Sequence, residues 1–392
     1  MAIPLQYPVR NLFVRRWTSA FTAGGIALVV AVTILLAALV GGLKHMLVAT
    51  GEPDNLIVMR KGSTNDGSSF ITRDAAQAVR VMTGVAQTPE GQPIASTEIV
   101  NQPFMRTRSG SRENVLVRGV APDAALRVHR SVHLAAGRFF QPKMGEVVVG
   151  RGVLARYAGV ALGSPIEFGR RRWTVVGVFD SGGTAFDSEI WADVRDVQDD
   201  TRRTGYSSVR LTVAPGADRR SLIDRIAADA RFALEAKPEE DYYREQADTA
   251  NSLYVLVLTL AVIMAIGATF GAANTMYAAV AGRTSEIGTL RALGFGQGAI
   301  LTSFLAESLL LAGGGFVTGL ALAGLGIFAV NTLLAGVAFG LMTFSVATVT
   351  LAPSSGGILL GLGFALAIGL FGGLAPAWRA ARLRVVDALH RA

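Results

Sequence analysis

Gly282-Arg-Thr-Ser-Glu-Ile-Gly-Thr-Leu-Arg-Ala-Leu-Gly294 is a short charged segment set between two apolar ones. Thr249–Gly282 before it has no charged residue, and neither has Ser308–Trp378 after it. At ~100° per residue, Arg283, Glu286, Ile287 and Leu290 share one arc with Arg291 beside it, while Thr284, Ser285, Gly288, Thr289 and Ala292 form a small opposite face. This pattern predicts a short helix whose small face lies against a neighbour. Ile287 and Leu290 then anchor in a partner's groove and the charges set the register. A loop whose arginines only follow the positive-inside bias fits the composition equally well.

The bulk numbers agree with a membrane setting. The chain has 392 residues, 51% of them hydrophobic, with 45 glycines and a mean hydropathy of +0.42. That is well above a typical soluble domain. The net charge of +8 does not mark a nucleic-acid surface. Residues 50–250 hold 27 Lys+Arg against 26 Asp+Glu, leaving ten basic and three acidic residues at the ends of apolar runs, where topology places them. The absence of cysteine excludes disulfides, thiolate zinc sites and thiol catalysis, and suits a bacterial extracytoplasmic domain large enough to fold on its core.

Four spans are expected. Arg10, Leu12, Phe13, Arg15 and Arg16 suggest an interfacial lead-in to Trp17–Leu43. At ~1.5 Å per residue this uncharged run reaches roughly 40 Å, enough for a ~30 Å hydrocarbon core and longer than a signal-peptide core. Leu253–Ala281 is a second span. Ser308–Trp378 has the length for two, turning within Asn331–Gly357, where Thr, Ser and Pro collect. The expected division is 1–48 lead-in and first span, 49–250 extracytoplasmic domain, 251–282 second span, 283–296 charged helix and turn, 297–330 third span, 331–357 short outer loop, 358–378 fourth span and 379–392 tail. Arg10, Arg15, Arg16, Arg283, Arg291, Arg379, Arg382, Arg384 and Arg391 then all lie on one side, which places both termini in the cytoplasm and the large domain outside. The small-xxx-small pairs Gly267/Gly271, Gly315/Gly319 and Gly357/Gly361 let helices approach closely; a contact with a second copy and the general glycine usage of membrane helices fit them equally well.

Between the spans, β-like runs occur at Asn55–Met59, Asn114–Val120, Glu146–Val149, Trp173–Phe179 and Ser208–Val213, with a helical period at Ser221–Phe232 capped by Asp218 or Ser221. The expected domain is α+β with two lobes: an α/β lobe from roughly 52–110 and 205–245, and a β-rich lobe from roughly 111–204 inserted into it.

Few residues carry chemistry. The four lysines, Lys44, Lys61, Lys143 and Lys237, are never part of Gly-Lys-Ser/Thr, so no phosphate loop of that type exists in the sequence. His129 and His133 are spaced i, i+4 but lack the Glu and third ligand of a zinc-peptidase helix, so surface histidines are expected. Glu307, inside the third span, is a costly charge. Pairing with Arg379 or Arg382 and proton relay are both open to it.

The motifs carry a resemblance. Ser285-Glu-Ile-Gly-Thr-Leu-Arg-Ala-Leu-Gly294 and Pro376-Ala-Trp-Arg-Ala-Ala-Arg-Leu-Arg-Val-Val-Asp-Ala-Leu389 resemble the signatures of MacB/FtsX-type ABC-transporter permeases. So do Arg10–Arg16, Phe304-Leu-Ala-Glu-Ser-Leu309, Leu134–Phe140 and Trp173–Val178. The Gly296-Gln-Gly sequence departs from the polar or basic residues usual there. The resemblance implies a four-span half-transporter, paired with a second copy and driven by a cytoplasmic ATPase dimer that binds ATP and Mg. It assigns Arg283, Glu286, Ile287, Leu290 and Arg291 to a coupling helix, and Arg379, Arg382 and Leu383 to a cytoplasmic tail. No cofactor is expected in this chain, and the ATPase is expected on a separate polypeptide. Implied substrates lie in the periplasm or outer leaflet: lipoproteins, lipids, peptides or macrolide-like compounds, with an adaptor or lipoprotein carrier as a further partner. The alternative is a regulator that activates a cell-wall hydrolase without transport. A membrane-bound enzyme lacks its metal or nucleophile set.

Overall fold

In the computed structural model, residues 16–248, 250–333, 337–339 and 347–383 are described. The lead-in at Arg10–Arg15 and the tail positions Arg384, Val386 and Arg391 lie outside them.

In chain order the elements are α1 (Arg16–Val48), β1 (Asn55–Arg60), α2 (Arg73–Arg80), β2 (Ala95–Asn101), β3 (Phe104–Arg106), β4 (Arg112–Asn114), β5 (Leu116–Val120), α3 (Ala125–Val128), β6 (His133–Gly137), β7 (Glu146–Gly150), α4 (Arg151–Arg156), β8 (Pro165–Phe168), β9 (Arg171–Asp180), β10 (Glu189–Asp193), α5 (Val194–Thr201) and β11 (Ser208–Thr212). There follow α6 (Arg219–Ala228), β12 (Leu234–Pro238), α7 (Glu239–Asp248), α8 (Ala250–Ala281), α9 (Thr284–Ala292), α10 (Gln297–Leu333), β13 (Val337–Phe339), β14 (Ala347–Val349) and α11 (Ser355–Ala381). Two compact units result. One combines residues 1–42, 251–333 and 351–392, and the other combines 43–250 and 334–350.

The first unit contains the long apolar helices α1, α8, α10 and α11, each long and apolar enough to cross a membrane. Their packing depends on glycine where backbones must approach. A Cβ added to Gly315 would lie 2.8 Å from the Ile26 Cβ, and one on Gly319 would lie 2.7 Å from the Ala27 carbonyl oxygen. Gly357 and Gly361 meet Ala37 and Ile34 in the same way. Two of the three small-xxx-small pairs thus pack against α1 within the chain. The third, Gly267/Gly271, meets nothing within 4 Å. Ser354 caps α11 by accepting from the Gly357 N–H at 3.1 Å, which ends the polar turn and starts the last helix.

The second unit is built on a ten-stranded sheet in the order β12-β1-β11-β2-β5-β10-β7-β9-β6, with β8 on β9. Most pairs are antiparallel; β5–β10 and β7–β9 are parallel. In β1, Leu56 and Val58 pack with α2 and α6 side chains, and the next residues are buried on the other face. Both faces are covered, so the strand reads as an unbroken apolar run. Asp218, rather than Ser221, caps α6 by accepting from the Arg220 N–H.

The two expected lobes are not separate sheets. β2 pairs with β11 through Ala95–Glu98 and with β5 through Ile99–Asn101, so it hands the sheet from one half to the other. Each half keeps its own apolar clusters, one around Leu56, Val79, Leu211 and Leu222, the others around Val149, Trp173 and Ile190 and around Phe179, Phe186 and Trp191. β2 and β10 are not among the β-like runs of the sequence; each carries a buried carboxylate, Glu98 in β2 and Glu189 in β10, that interrupts its apolar pattern.

Candidate functional site

The charged segment between the second and third spans forms helix α9, as its pattern predicts; Gly288 lies inward and Glu286 outward as expected, but Arg283 and Ile287 turn inward. Ile287 is 1% exposed and packs with Met276, Val280, Ile300, Phe304, Ala377 and Ala380. Arg283, at the N-cap position, is also buried. Leu290 and Arg291 are half-buried, and Arg291 lies over the Phe295 carbonyl oxygen at 3.5 Å. The outward face is Ser285, Glu286, Thr289 and Ala292, followed by Leu293, which is 68% exposed. Ile287 is therefore not an outward anchor. The physical reason is that side chains of α8, α10 and α11 form an apolar recess on that side of α9, which Ile287 fills. Periodicity identifies the two arcs of a helix and does not say which one has a neighbour.

Glu307 is paired, but not with Arg379 or Arg382. Arg283 Nη1 and Nη2 donate to Glu307 Oε2 and Oε1, both at 2.9 Å, in a two-pronged contact. The guanidinium also faces the Phe304 ring, 6.0 Å from its centroid. The arginines nearer the C-terminus stack instead: Arg379 lies over Tyr277 at 5.8 Å and Arg382 over Trp378 at 4.5 Å. Leu383 packs at the edge of the cluster that holds Ile287.

A second constellation, which sequence reading missed, lies inside the extracytoplasmic unit. Arg118 on β5 grips Glu189 on β10 with two hydrogen bonds of 2.7 Å and also donates to Asp66 at 3.1 Å and Glu98 at 3.0 Å. Arg210 on β11 donates to Asp66 at 3.1 Å, to the Tyr243 hydroxyl at 3.0 Å and to Glu239. Its Nε sits 3.1 Å from Glu98 Oε2 without a hydrogen bond of its own. Asn55 donates to Glu239 at 2.9 Å, and the Trp191 indole donates to Glu189 at 2.8 Å. Two guanidiniums thus face four carboxylates, with every one of these six side chains at 4% exposure or less.

His129 belongs to this cluster and is not a surface residue. It is fully buried, with Nε2 2.6 Å from Glu98 Oε1 and its ring 4.9 Å from both Phe186 and Trp191. His133 lies in the exposed strand β6. The i, i+4 spacing fails as a helix argument because α3 ends at Val128, before either histidine. Among the described residues no group of three His, Asp or Glu side chains is placed to hold a metal ion.

The electrostatics follow from burial and pairing. Burial pushes the Asp66 carboxyl up, but Arg118 and Arg210 outweigh it and hold the group below the usual carboxylate range. Burial likewise opposes ionisation of Glu98, and His129, Arg210 and Arg118 together hold it well down. Burial raises the Tyr242 and Tyr243 hydroxyls, which stay protonated. The cluster draws on both halves of the sheet and on α7, so it ties them together.

The class is now defined: a multi-span membrane protein with a large mixed α/β domain following its first span. Residues 19–229 match the model of the MacB-like periplasmic core domain, and residues 258–385 match that of the FtsX-like permease C-terminal domain. The chain belongs to the MacB/FtsX-type ABC-transporter permease family. Among its relatives is the macrolide export ATP-binding/permease protein MacB of Nitrobacter winogradskyi, 28% identical over 95% of this chain and 58% of that protein. The MacB of Bdellovibrio bacteriovorus is 25% identical over 86% of this chain and 53% of that protein. The chain thus spans a little over half the length of these relatives. The periplasmic region of MacB from Actinobacillus actinomycetemcomitans superposes with a TM-score of 0.39 at 11% identity, over 51% of this chain and 94% of that one.

Proposed function

We propose that this chain is the membrane lever of an ABC transporter. In this reading an ATP-binding subunit docks on the outward face of α9 and its closure is passed through the spans to the extracytoplasmic domain. The observation that supports it is α9 itself. It is a nine-residue helix between two spans that buries Arg283 and Ile287 and presents Glu286, Thr289 and Leu293 on the other side. A mixed polar and apolar face of this size suits a partner's groove. Nucleotide chemistry comes from outside these 392 residues, because none of the lysines sits in a phosphate-loop sequence. ATP and Mg are bound by the ATPase, two permease copies assemble with an ATPase dimer, and α9 and both termini face the cytoplasm. The substrates are periplasmic or outer-leaflet compounds, received directly or through an adaptor or lipoprotein carrier.

The chain has no cysteine, so single thiols report position without a background. Ser285→Cys is expected to react with a membrane-impermeant maleimide only after the membrane is opened, and Leu293→Cys to crosslink to the ATP-binding subunit. Labelling of Ser285→Cys in intact spheroplasts would refute the orientation. Unchanged ATPase association and transport in Leu293→Asp would refute the docking face.

A further inference from the structure

The α9 helix is joined to the third span by Leu293-Gly-Phe-Gly296, a short turn in which the Gly294 and Phe295 N–H groups donate back to the Arg291 and Leu290 carbonyl oxygens at 3.1 and 3.2 Å. Gly294 has φ +92°, a conformation that an L side chain rarely adopts, and neither Gly294 nor Gly296 has an atom within 4 Å of where a Cβ would stand. These bonds close the end of α9 and do not reach the third span, so a helix tethered by this turn alone would pivot about it. The structure bypasses the turn. Arg283, at the opposite end of α9, reaches Glu307 across 24 residues of sequence with two hydrogen bonds of 2.9 Å. The two side chains are 7% and 6% exposed. One turn along α9, Ile287 enters the cluster that also holds Ile300 and Phe304 of α10.

A buried ion pair is a poor source of net stability, because desolvation offsets much of the attraction. What a two-pronged guanidinium–carboxylate contact fixes is relative orientation. We propose that Arg283 and Glu307 form a positioning joint that makes α9 and α10 one rigid body, so that force on α9 enters the third span and not the glycine turn. The functional meaning of this joint rests on the docking role proposed above, while its mechanical content does not. Arg283 and Ile287 then serve the inner side of α9, and Glu286, Thr289 and Leu293 the outer. The joint also specifies the carrier of the motion: α10 follows α9 directly.

The test uses the full chain in lipid nanodiscs, spin-labelled at Thr289→Cys on α9 and Thr302→Cys on α10, both exposed threonines. Pulsed electron–electron resonance is expected to give one narrow distance distribution. Glu307→Gln, which keeps the shape and removes the charge, is expected to broaden it by about twofold or more. Arg283→Lys, which keeps the charge and removes the fork, should broaden it less. A control pair within α10, Thr302→Cys with Thr318→Cys, is expected to stay unchanged, which separates loss of the joint from general unfolding. Distributions of wild-type width in both variants would overturn the proposal. Should Glu307→Gln fail to fold, Arg283→Lys decides alone: wild-type width overturns the joint, and broadening supports it. No ATPase or substrate enters the measurement, so a failed joint leaves the docking reading standing, and a failed docking reading leaves this distance unaffected.

Discussion

Arg210→Met is the sharpest probe of the extracytoplasmic domain. Arg210 is fully buried and is the cation that Glu239 touches; it also sits 3.1 Å from Asp66 and from Glu98. Replacing it with an apolar chain of similar volume leaves four buried carboxylates facing Arg118 and His129. Breaking a buried ion pair from one side costs about 3–5 kcal/mol. Because three carboxylates lose a partner at once, the upper part of that range applies. Whole domains are stable by about 5–15 kcal/mol, so the loss is a large share of the total. At ~2–4 °C per kcal/mol for a domain of this size, the unfolding midpoint should fall by roughly 8–20 °C. The assay is thermal unfolding of the full chain in detergent, followed by fluorescence of the buried Trp173 and Trp191 with Trp17 and Trp378, both exposed, replaced by Phe. The loss should also depend on pH. An unpaired buried carboxylate has its pKa raised above the unfolded value, so its destabilising effect is absent at low pH and grows as pH rises. The gap between wild type and Arg210→Met should therefore widen from pH 5 to pH 8. A midpoint shift below about 3 °C at pH 7, or one independent of pH, would refute the reading of the cluster as charged and tightly paired.

Other outcomes follow from the same geometry. In the wild-type chain Asp66 and Glu98 have folded pKa values below the unfolded ones. Their stabilisation is present above about pH 4 and is lost as pH falls further; a titration of the unfolding midpoint should show the domain weakening below that value, and a flat profile down to pH 3 would contradict it. Gly315→Val should disturb the α1–α10 contact, since even its Cβ lies 2.8 Å from Ile26, and overpacking of this kind costs about 1–3 kcal/mol. Gly271→Val meets nothing in the chain, so its midpoint in detergent should match wild type. Glu286→Lys should leave the chain folded and weaken ATPase association, whereas Ile287→Asp, which buries a charge among apolar side chains, should lower the yield of folded protein; equal behaviour of the two in size-exclusion chromatography would show that the faces of α9 are misassigned.

Much of this was legible in the sequence. Spans are set by length and absence of charge, because lipid offers no partner for a backbone or a charge. That one requirement makes the four long helices readable, though not the residues at which they start and stop. Signatures as long as Ser285–Gly294 and Pro376–Leu389 carry the family as well. Strands such as Glu146–Gly150 and Arg171–Asp180 are readable because their apolar residues cluster in short runs between turn residues. The difficulty begins where a side chain's role depends on a partner distant in the chain. His129 reads as a surface histidine, and nothing local marks Glu98 or Glu189 for burial. All three are buried because partners distant in the chain answer them: Arg118 pairs with Glu98 and Glu189, and Glu98 in turn faces the His129 imidazole. The same limit applied to Glu307. Its cost in a span is evident, but the sequence points to Arg379 or Arg382, and only the fold shows that Arg283 answers it.

The sequence by itself determined the number of membrane helices, the large domain between the first two, and the charged helix between the second and third, because hydrophobicity, charge and period are properties of a local stretch. Tertiary structure alone decided that Ile287 points inward and Leu293 outward, that Glu307 answers Arg283, and that the two halves of the domain share one sheet around a buried ionic cluster. Those outcomes depend on which surfaces meet, and a pairwise contact across many residues leaves no periodic trace in the chain that makes it.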